Sequence, residues 1–260
     1  MKRGEMYMKK NKLIYIFASL FMLLILSACG NSDDSKSSGD EPIRIAVTEG
    51  SPPFSFVDSE GKLVGFDVDY SEEIGKRIGK EIEIISTAWE GILPGLLADK
   101  YDLIIGSMAI TEERQKSVNF STPYYTSGAA IVIHNDTTDI NTPSDLKGRS
   151  VGATLGTTYE EEVRKIGGNV KTYNTEVDQL TDLENKRIEA MVTDKFIGAF
   201  TIKELKRPLK VLDEMLYDEE IGIAVRKEDK ELLDLVNKAI EEINTDGTYE
   251  ELALKHFGIK

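Results

Sequence analysis

The chain has 260 residues, 40% hydrophobic and 30% charged, with a formal net charge of −14. That length suits two modest domains or one large one. The acidic balance excludes the basic face that nucleic acid requires, and a single Cys excludes an internal disulfide.

The N-terminus does not read as fold material. Residues 1–12, "MKRGEMYMKKNK", are basic, and "LIYIFASLFMLLILSA" follows as a short apolar run. This order predicts a secretory signal over residues 1–28, since a permanent span needs about 20 apolar residues. Translation from Met8 leaves a complete signal as well as translation from Met1. "LSAC" at 26–29 resembles the lipobox of bacterial lipoproteins, which implies lipidation of Cys29 and attachment to the cell membrane. The next stretch, "GNSDDSKSSGDE", holds no apolar residue, so residues 29–41 are expected to be a lipidated Cys and a flexible tether. Acidic chains are repelled by anionic lipid, so attachment would rest on the lipid alone.

From residue 43 the pattern alternates. "IRIAVTE" (43–49) predicts a strand, "FDVDYSEEIGKRIG" (66–79) a helix, and "EIEIIST" (81–87) a strand. "EGILPGLLADK" (90–100) predicts a helix with Pro94 in its first turn, followed by a short strand in "YDLIIGS" (101–107). This βαβαβ order predicts a mostly parallel sheet with helices on its faces. "TEER" predicts a short helix carrying Arg114. The alternation then restarts with strands at 129–134 and 150–156, a helix at 158–167, a strand "NVKTYN", a helix at 176–188 and a strand at 189–193. A helix "KFIGAFTIKEL", a strand "LKVLDE" and a strand at 219–227 follow. Leu232, Val236, Ile240 and Ile243 form an apolar stripe on a C-terminal helix. A second helix follows a Gly turn, and the pair is expected to return to the first unit.

Chemical motifs are scarce. The chain has no GxGxxG after a strand, no GxxxxGK[ST], no GxSxG, no HExxH and no CxxC. Its two His residues stand apart. No cofactor and no metal are expected, and the composition reads as a scaffold that binds rather than a catalyst.

Taken in order, "PPFSF", "GKLVGFDVDY", "AWEGILPGL", "DLIIGSMAITEERQKSVNFSTPYY", "LKGRSVGATLGTTYE", "IEAMVTD" and "NKAIEEINTDGTYEELALKHFG" resemble the family 3 solute-binding proteins, which feed polar amino acids to ABC importers. The likeness spans residues 42–260. It implies an α/β, two-lobe, periplasmic-binding-protein-like (type II) fold with a two-strand hinge. Lobe 1 would comprise 42–126 and 225–260, lobe 2 would comprise 131–219, and the crossovers would be 126–129 and 220–224. It implies a monomer outside a Gram-positive cell membrane that binds an L-amino acid (polar, basic or cystine) and docks on an ABC permease with its ATPase. The alternatives are a secreted dehydratase on the same fold, with Glu49 or Glu90 as general acid, and a sensory lipoprotein without transport.

The candidate site residues carry two readings each. Arg114 alone reads as a solvated charge beside Glu112 and Glu113; the resemblance implies a clamp on the ligand's α-carboxylate, which a guanidinium fork matches. Ser107 and Ala109 occupy positions where the family often has hydroxyls, and Ala109 lacks one. Thr157 and Thr158 read as helix N-caps; the resemblance implies that they meet the carboxylate, with Thr158 the closer match. Asp194 reads as another N-cap and, by resemblance, as the partner of the α-ammonium. Phe54 and Trp89 read as core aromatics or as walls against the ligand's aliphatic part. Ser51 replaces the family's more usual aromatic. Thr48, Glu49, Ser51 and Glu90 are candidates for reading the side chain. "GFDVD" reads as structural, with Asp67 capping a helix.

Overall fold

The computed structural model describes residues 41–204 and 206–258. The signal segment 1–28, Cys29 and the tether to residue 40 lie outside the described residues. The first apolar run forms β1 (Ile43–Thr48), and a hairpin not foreseen from sequence follows, β2 (Phe56–Val57) with β3 (Leu63–Val64). Helix α1 (Phe66–Ile78) ends at Gly79, whose φ of 72° lets its N–H turn back to the carbonyls of Gly75 and Lys76. Strand β4 (Ile82–Thr87), helix α2 (Trp89–Leu97) and strand β5 (Leu103–Ile104) complete the βαβαβ unit, with β1 parallel to both β4 and β5.

Pro94 sits in the interior of α2, not in its first turn as expected, and the helix stops three residues later. The Tyr101 hydroxyl donates to the carbonyls of Gly91, at 3.2 Å, and Ile92. The aromatic ring lies so close to the helix that a Cβ on Gly95 would fall 2.1 Å from its oxygen. The short helix α3 (Glu112–Gln115) and strand β6 (Val118–Phe120) lead into β7 (Tyr125–His134).

Strand β7 belongs to two structures. Its first residues, Tyr125–Gly128, pair antiparallel with β12 (Asp218–Ile221), while Ala129–Ile133 pair with β10 (Ala190–Asp194). The second sheet runs β11-β7-β10-β8-β9, built with β8 (Ser150–Thr154), β9 (Asn169–Tyr173) and β11 (Leu209–Val211). Strands β8, β9 and β10 are mutually parallel neighbours. Helices α4 (Thr158–Lys165), α5 (Glu176–Glu184) and α6 (Lys195–Lys203) connect them.

The single strand expected over 219–227 is two. The chain leaves β7 after Ile221 and joins the first sheet as β13 (Ala224–Arg226), between β5 and β6. Gly222 marks the switch, because a Cβ there would lie 2.8 Å from the Ile110 side chain. Helices α7 (Lys230–Thr245) and α8 (Thr248–Phe257) then close the chain.

Each sheet has its own core. Ile45, Phe66, Tyr70, Ile74 and Leu103 pack with Val236, Ile240 and Ile243 of α7, so the C-terminal helices rest on the first sheet. Full burial of a Val or Ile contributes about 1.5–3 kcal/mol, so those three side chains anchor α7, helped by Asn237, which accepts from the Thr122 N–H at 2.8 Å. The second core gathers Ile131, Ile133, Val151, Val163 and Val192. An aromatic group joins the two parts. Phe196, at the start of α6, stacks on Phe257 with ring centroids 4.2 Å apart and meets Phe54 and Tyr125 at 6.3 and 6.1 Å.

Candidate functional site

Parallel strands present their carboxyl ends at one edge, and there α/β sheets bind ligands. Both sheets do so around one shared cleft. The first sheet lines it with Thr48, Glu49 and Ser51 after β1, Trp89 after β4, and Gly106 and Ser107 after β5. The second sheet contributes Thr154 and Thr157 after β8, Asn174 and Glu176 after β9, and Asp194 and Ile197 after β10.

Ser107 has a left-handed backbone, with φ 54°. Such a conformation is unfavourable for a residue with a side chain, and the neighbours hold it in place. Its N–H donates to the Tyr124 hydroxyl at 3.2 Å, and its own hydroxyl donates to Asp67 at 3.0 Å. The Tyr124 hydroxyl donates to the other Asp67 oxygen at 2.8 Å. Asp67 therefore does not cap α1 as expected; Gly65 occupies the cap position. Burial pushes the Asp67 carboxyl up to about 7, against the bonds from Tyr124 and Ser107. The "GFDVD" aspartate thus positions the Ser107 turn. Gly106 beside it admits no Cβ, which would come within 2.8 Å of the Thr48 hydroxyl. That hydroxyl donates to the Gly106 carbonyl at 3.1 Å.

Arg114 lies on α3, whose N-cap Thr111 accepts from the Arg114 N–H at 3.2 Å. The guanidinium donates to the Ala109 carbonyl at 2.8 Å and, across to the second sheet, to the Gly156 carbonyl at 3.3 Å. Its Cζ lies 5.2 Å from the centre of the half-buried Trp89 ring, within cation–π range. Burial lowers its pKa, against the pull of Glu219. Arg114 stands beside the cleft on Trp89, not as a solvated charge. The Ala109 side chain is buried and its carbonyl is taken by Arg114, so this residue serves the arginine instead of facing the cleft.

Thr157 and Thr158 separate in role. Thr157 is the N-cap of α4; its oxygen accepts from the Glu160 N–H at 3.4 Å and its hydroxyl donates to the Thr154 carbonyl at 2.6 Å. It lines the cleft. Thr158, the closer match by resemblance, donates its hydroxyl to Glu219 of β12 at 3.0 Å, and Tyr159 donates to the same carboxylate at 2.6 Å. Its hydroxyl is committed to the crossover strand and does not line the cleft. Burial raises the Glu219 carboxyl, against those two bonds and Arg114.

Asp194 ends β10 and caps α6, accepting from the Phe196 N–H at 2.7 Å and from the Ser127 hydroxyl. It is 2% exposed. Burial pushes its carboxyl up to about 7, against Ser127 and Phe196, while Lys195 acts last among the influences on it. Glu176, which sequence reasoning did not select, opens α5 at the carboxyl end of β9. Thr193 donates to its Oε1 at 2.8 Å, its Oε2 has no hydrogen-bond partner, and burial pushes it up to about 8. The signal that finds it is positional: an acid in the first helical turn after a parallel strand.

Phe54 does not wall the cleft. It is wholly buried among Phe66, Tyr125, Phe196 and Phe257, 5.4 Å from the Tyr125 ring centre. Glu49 is exposed at the lip and Ser51 is half-buried there. Glu90 is exposed and stands outside the lining.

Residues 43–259 match the bacterial extracellular solute-binding proteins, family 3. The L-cystine-binding protein TcyJ of Escherichia coli (strain K12) is 39% identical over 210 residues, covering 80% of this chain and 79% of TcyJ. The probable amino-acid-binding protein YxeM of Bacillus subtilis (strain 168) is 34% identical over 260 residues, covering 97% of this chain and 96% of YxeM. Among solved structures, an ancestral arginine-binding protein bound to arginine superposes with a TM-score of 0.80 at 39% identity, covering 85% of this chain and all of that one, 100%. The ancestral amino acid-binding protein AncCDT-1, described as a precursor of cyclohexadienyl dehydratase, superposes with a TM-score of 0.78 at 34% identity over 83% of this chain and 95% of its own. The fold is therefore the two-lobe α/β fold expected from the sequence, and the chain belongs to the bacterial extracellular solute-binding proteins, family 3.

Proposed function

We propose that the chain is the lipid-anchored, extracytoplasmic receptor of an ABC importer, binding an L-amino acid between two lobes and delivering it to a membrane permease served by a separate ATPase. Lobe 1 comprises residues 42–126 and 225–260, lobe 2 comprises 131–219, and the β7–β12 ladder is the hinge. Asp194 takes the α-ammonium. Arg114 takes the α-carboxylate together with the N-terminus of α4 at Thr157, whose free N–H groups favour an anion. Arg114 already reaches across the cleft to the Gly156 carbonyl at 3.3 Å, and a carboxylate offers it stronger, charge-assisted acceptors. The observation that carries this reading is Asp194, a buried carboxylate opening on the cleft whose oxygens accept from two neutral donors, the Ser127 hydroxyl and the Phe196 N–H. Closure is driven only by the extra affinity of the closed form.

Trp89, the only Trp in the chain, lines the cleft, so its emission reports occupancy. Titration with the common L-amino acids and cystine is expected to shift that emission for the true ligand, with micromolar affinity near about −8 kcal/mol. If no ligand moves either the emission or the melting temperature, the proposal fails. An unmodified Cys29 in mass analysis of the membrane fraction would refute the anchor alone.

The likeness to AncCDT-1 favours one second reading, a dehydratase. It requires a general acid over the substrate; Glu49 and Glu90 are both exposed and Glu90 lies outside the cleft, so the buried Glu176, raised to about 8, would have to fill that role. Product formed from prephenate or arogenate would replace the receptor reading with this one.

A further inference from the structure

We infer that the ligand carries a second cationic nitrogen group besides its α-ammonium, and that Glu176 is the residue that selects it. The inference rests on the receptor reading above and adds the chemistry of the side chain. Glu176 lines the cleft, yet it is only 8% exposed. Its Oε1 accepts from the Thr193 hydroxyl at 2.8 Å, and its Oε2 has no partner. A buried carboxylate oxygen without a donor is strongly disfavoured unless the group holds a proton, as the raised Glu176 carboxyl does in the empty cleft, or a ligand cation displaces that proton and supplies the donor. The charge influences on Glu176 among the described residues include no cation; besides burial and Thr193 there is only the like charge of Asp194.

The surroundings need donors, not acceptors. Gln179, one turn along α5, gives its amide N–H to Thr154 Oγ1 at 2.6 Å, and its own Oε1 is a further buried acceptor without a partner. Ammonium and guanidinium groups are donors only. Asp194 does not duplicate this role. Successive residues of a strand point to opposite faces, and Glu176 is bonded to Thr193 while the next residue, Asp194, is bonded to Ser127. The two carboxylates thus reach the cleft from different faces of the second sheet, as two stations for two cations. Three ligand types share this chemistry: a guanidinium side chain, an ammonium side chain, and the second α-ammonium of a disulfide-linked amino acid.

Calorimetric titration of the protein with three matched pairs tests the inference and separates the sources. The pairs are L-arginine with L-citrulline, L-lysine with L-norleucine, and L-cystine with S-methyl-L-cysteine. At least one cationic member is expected to bind ten-fold or more tightly than its neutral partner. Glu176→Gln is expected to erase that ratio, and Glu176→Asp to keep part of it. Equal binding within all three pairs overturns the inference and leaves the receptor reading intact. So does a Glu176→Gln protein that weakens both members of a pair equally, since that shows a shared α-ammonium. Binding by none of the six overturns this inference, while the receptor reading is decided separately by the Trp89 titration with the common L-amino acids. If Glu176→Gln fails to melt cooperatively, the wild-type ratios and Glu176→Asp still decide.

Discussion

Asp194→Asn is expected to stabilise the empty protein while destroying its affinity. The Asp194 carboxyl is 2% exposed and is pushed from 3.8 up to about 7 by burial. A carboxyl with a raised folded value binds its proton more tightly when folded. It therefore lowers stability progressively as pH rises from about 4 to about 7, with the full penalty above that range. At about 1.4 kcal/mol per pH unit, the penalty is about 2 kcal/mol at pH 5 and about 4 kcal/mol at pH 8. Asparagine carries no charge to desolvate, still accepts from the Phe196 N–H as an N-cap, and its amide finds the Ser127 oxygen. Any fixed loss from the substitution is the same at both pH values, so the change in the difference is the clean quantity. Relief of the like charge on Glu176 acts in the same direction. The advantage of Asp194→Asn should widen by about 2–3 kcal/mol between pH 5 and pH 8, or about 4–12 °C in melting temperature at about 2–4 °C per kcal/mol. Thermal melts of both proteins without ligand, at the two pH values, measure it. Removing one partner of a buried charge pair costs about 2–5 kcal/mol of binding, so the affinity for the amino acid should fall by at least about 30-fold. A melting difference that does not widen with pH, or an affinity within a few-fold of wild type, would refute the reasoning.

Arg114→Lys should weaken binding by about ten- to hundred-fold, because hydrogen bonds to charged groups contribute about 1.5–3 kcal/mol and an ammonium lacks the guanidinium fork; Arg114→Ala should abolish it. Near-normal affinity of Arg114→Ala in the Trp89 titration would remove the carboxylate clamp. Asp67→Ala leaves the buried Tyr124 hydroxyl and the Ser107 hydroxyl without their acceptor, and should lower stability in urea by about 2 kcal/mol or more, with weaker binding through a misplaced Ser107. Gly95→Ala brings a Cβ within 2.1 Å of the Tyr101 oxygen and should lose about 1–3 kcal/mol by overpacking. The double change Gly95→Ala with Tyr101→Ala tests the cause: if it is no better packed, and destabilises by the simple sum of the two single changes, the clash is not the reason.

Local physics made much of the fold legible. The helix 158–165 and the strands at 43–48 and 150–154 follow periodicity and capping within a few residues of chain. The stripe Val236, Ile240 and Ile243 is buried on the first sheet's core because a helix with one apolar face must cover something. What escaped depends on contacts distant in sequence. Periodicity alone runs one strand through 219–227; the break falls in the 220–224 crossover that the resemblance implies, where Ile110 leaves no room for a Cβ on Gly222. Pro94 reads as a first-turn residue, yet α2 begins at Trp89 and ends at Leu97, with the Tyr101 hydroxyl bonded to the carbonyls of Gly91 and Ile92.

The site shows the same division in its acids. Asp67, Glu176, Asp194 and Glu219 look alike in sequence, each near the end of a predicted element, and Asp67 and Asp194 carry a capping reading. Their roles separate only through the groups that meet them. Asp67 is satisfied by two hydroxyls from residues 40 and 57 positions away, and so it positions Ser107. Glu219 is satisfied by Thr158 and Tyr159, and so it ties the crossover strand to the N-terminus of α4. Asp194 and Glu176 face the cleft, and only Glu176 keeps an oxygen without a donor. A receptor for small zwitterions needs rigid acids that hold its turns and unsatisfied acids that wait for a cation. The number of hydroxyls within reach decides which is which, and chain folding sets that number. The sequence-level choice of Asp194 rested on family likeness; position in the first turn of α5 nominates Glu176, and matching each buried carboxylate oxygen against its donors gives it a role.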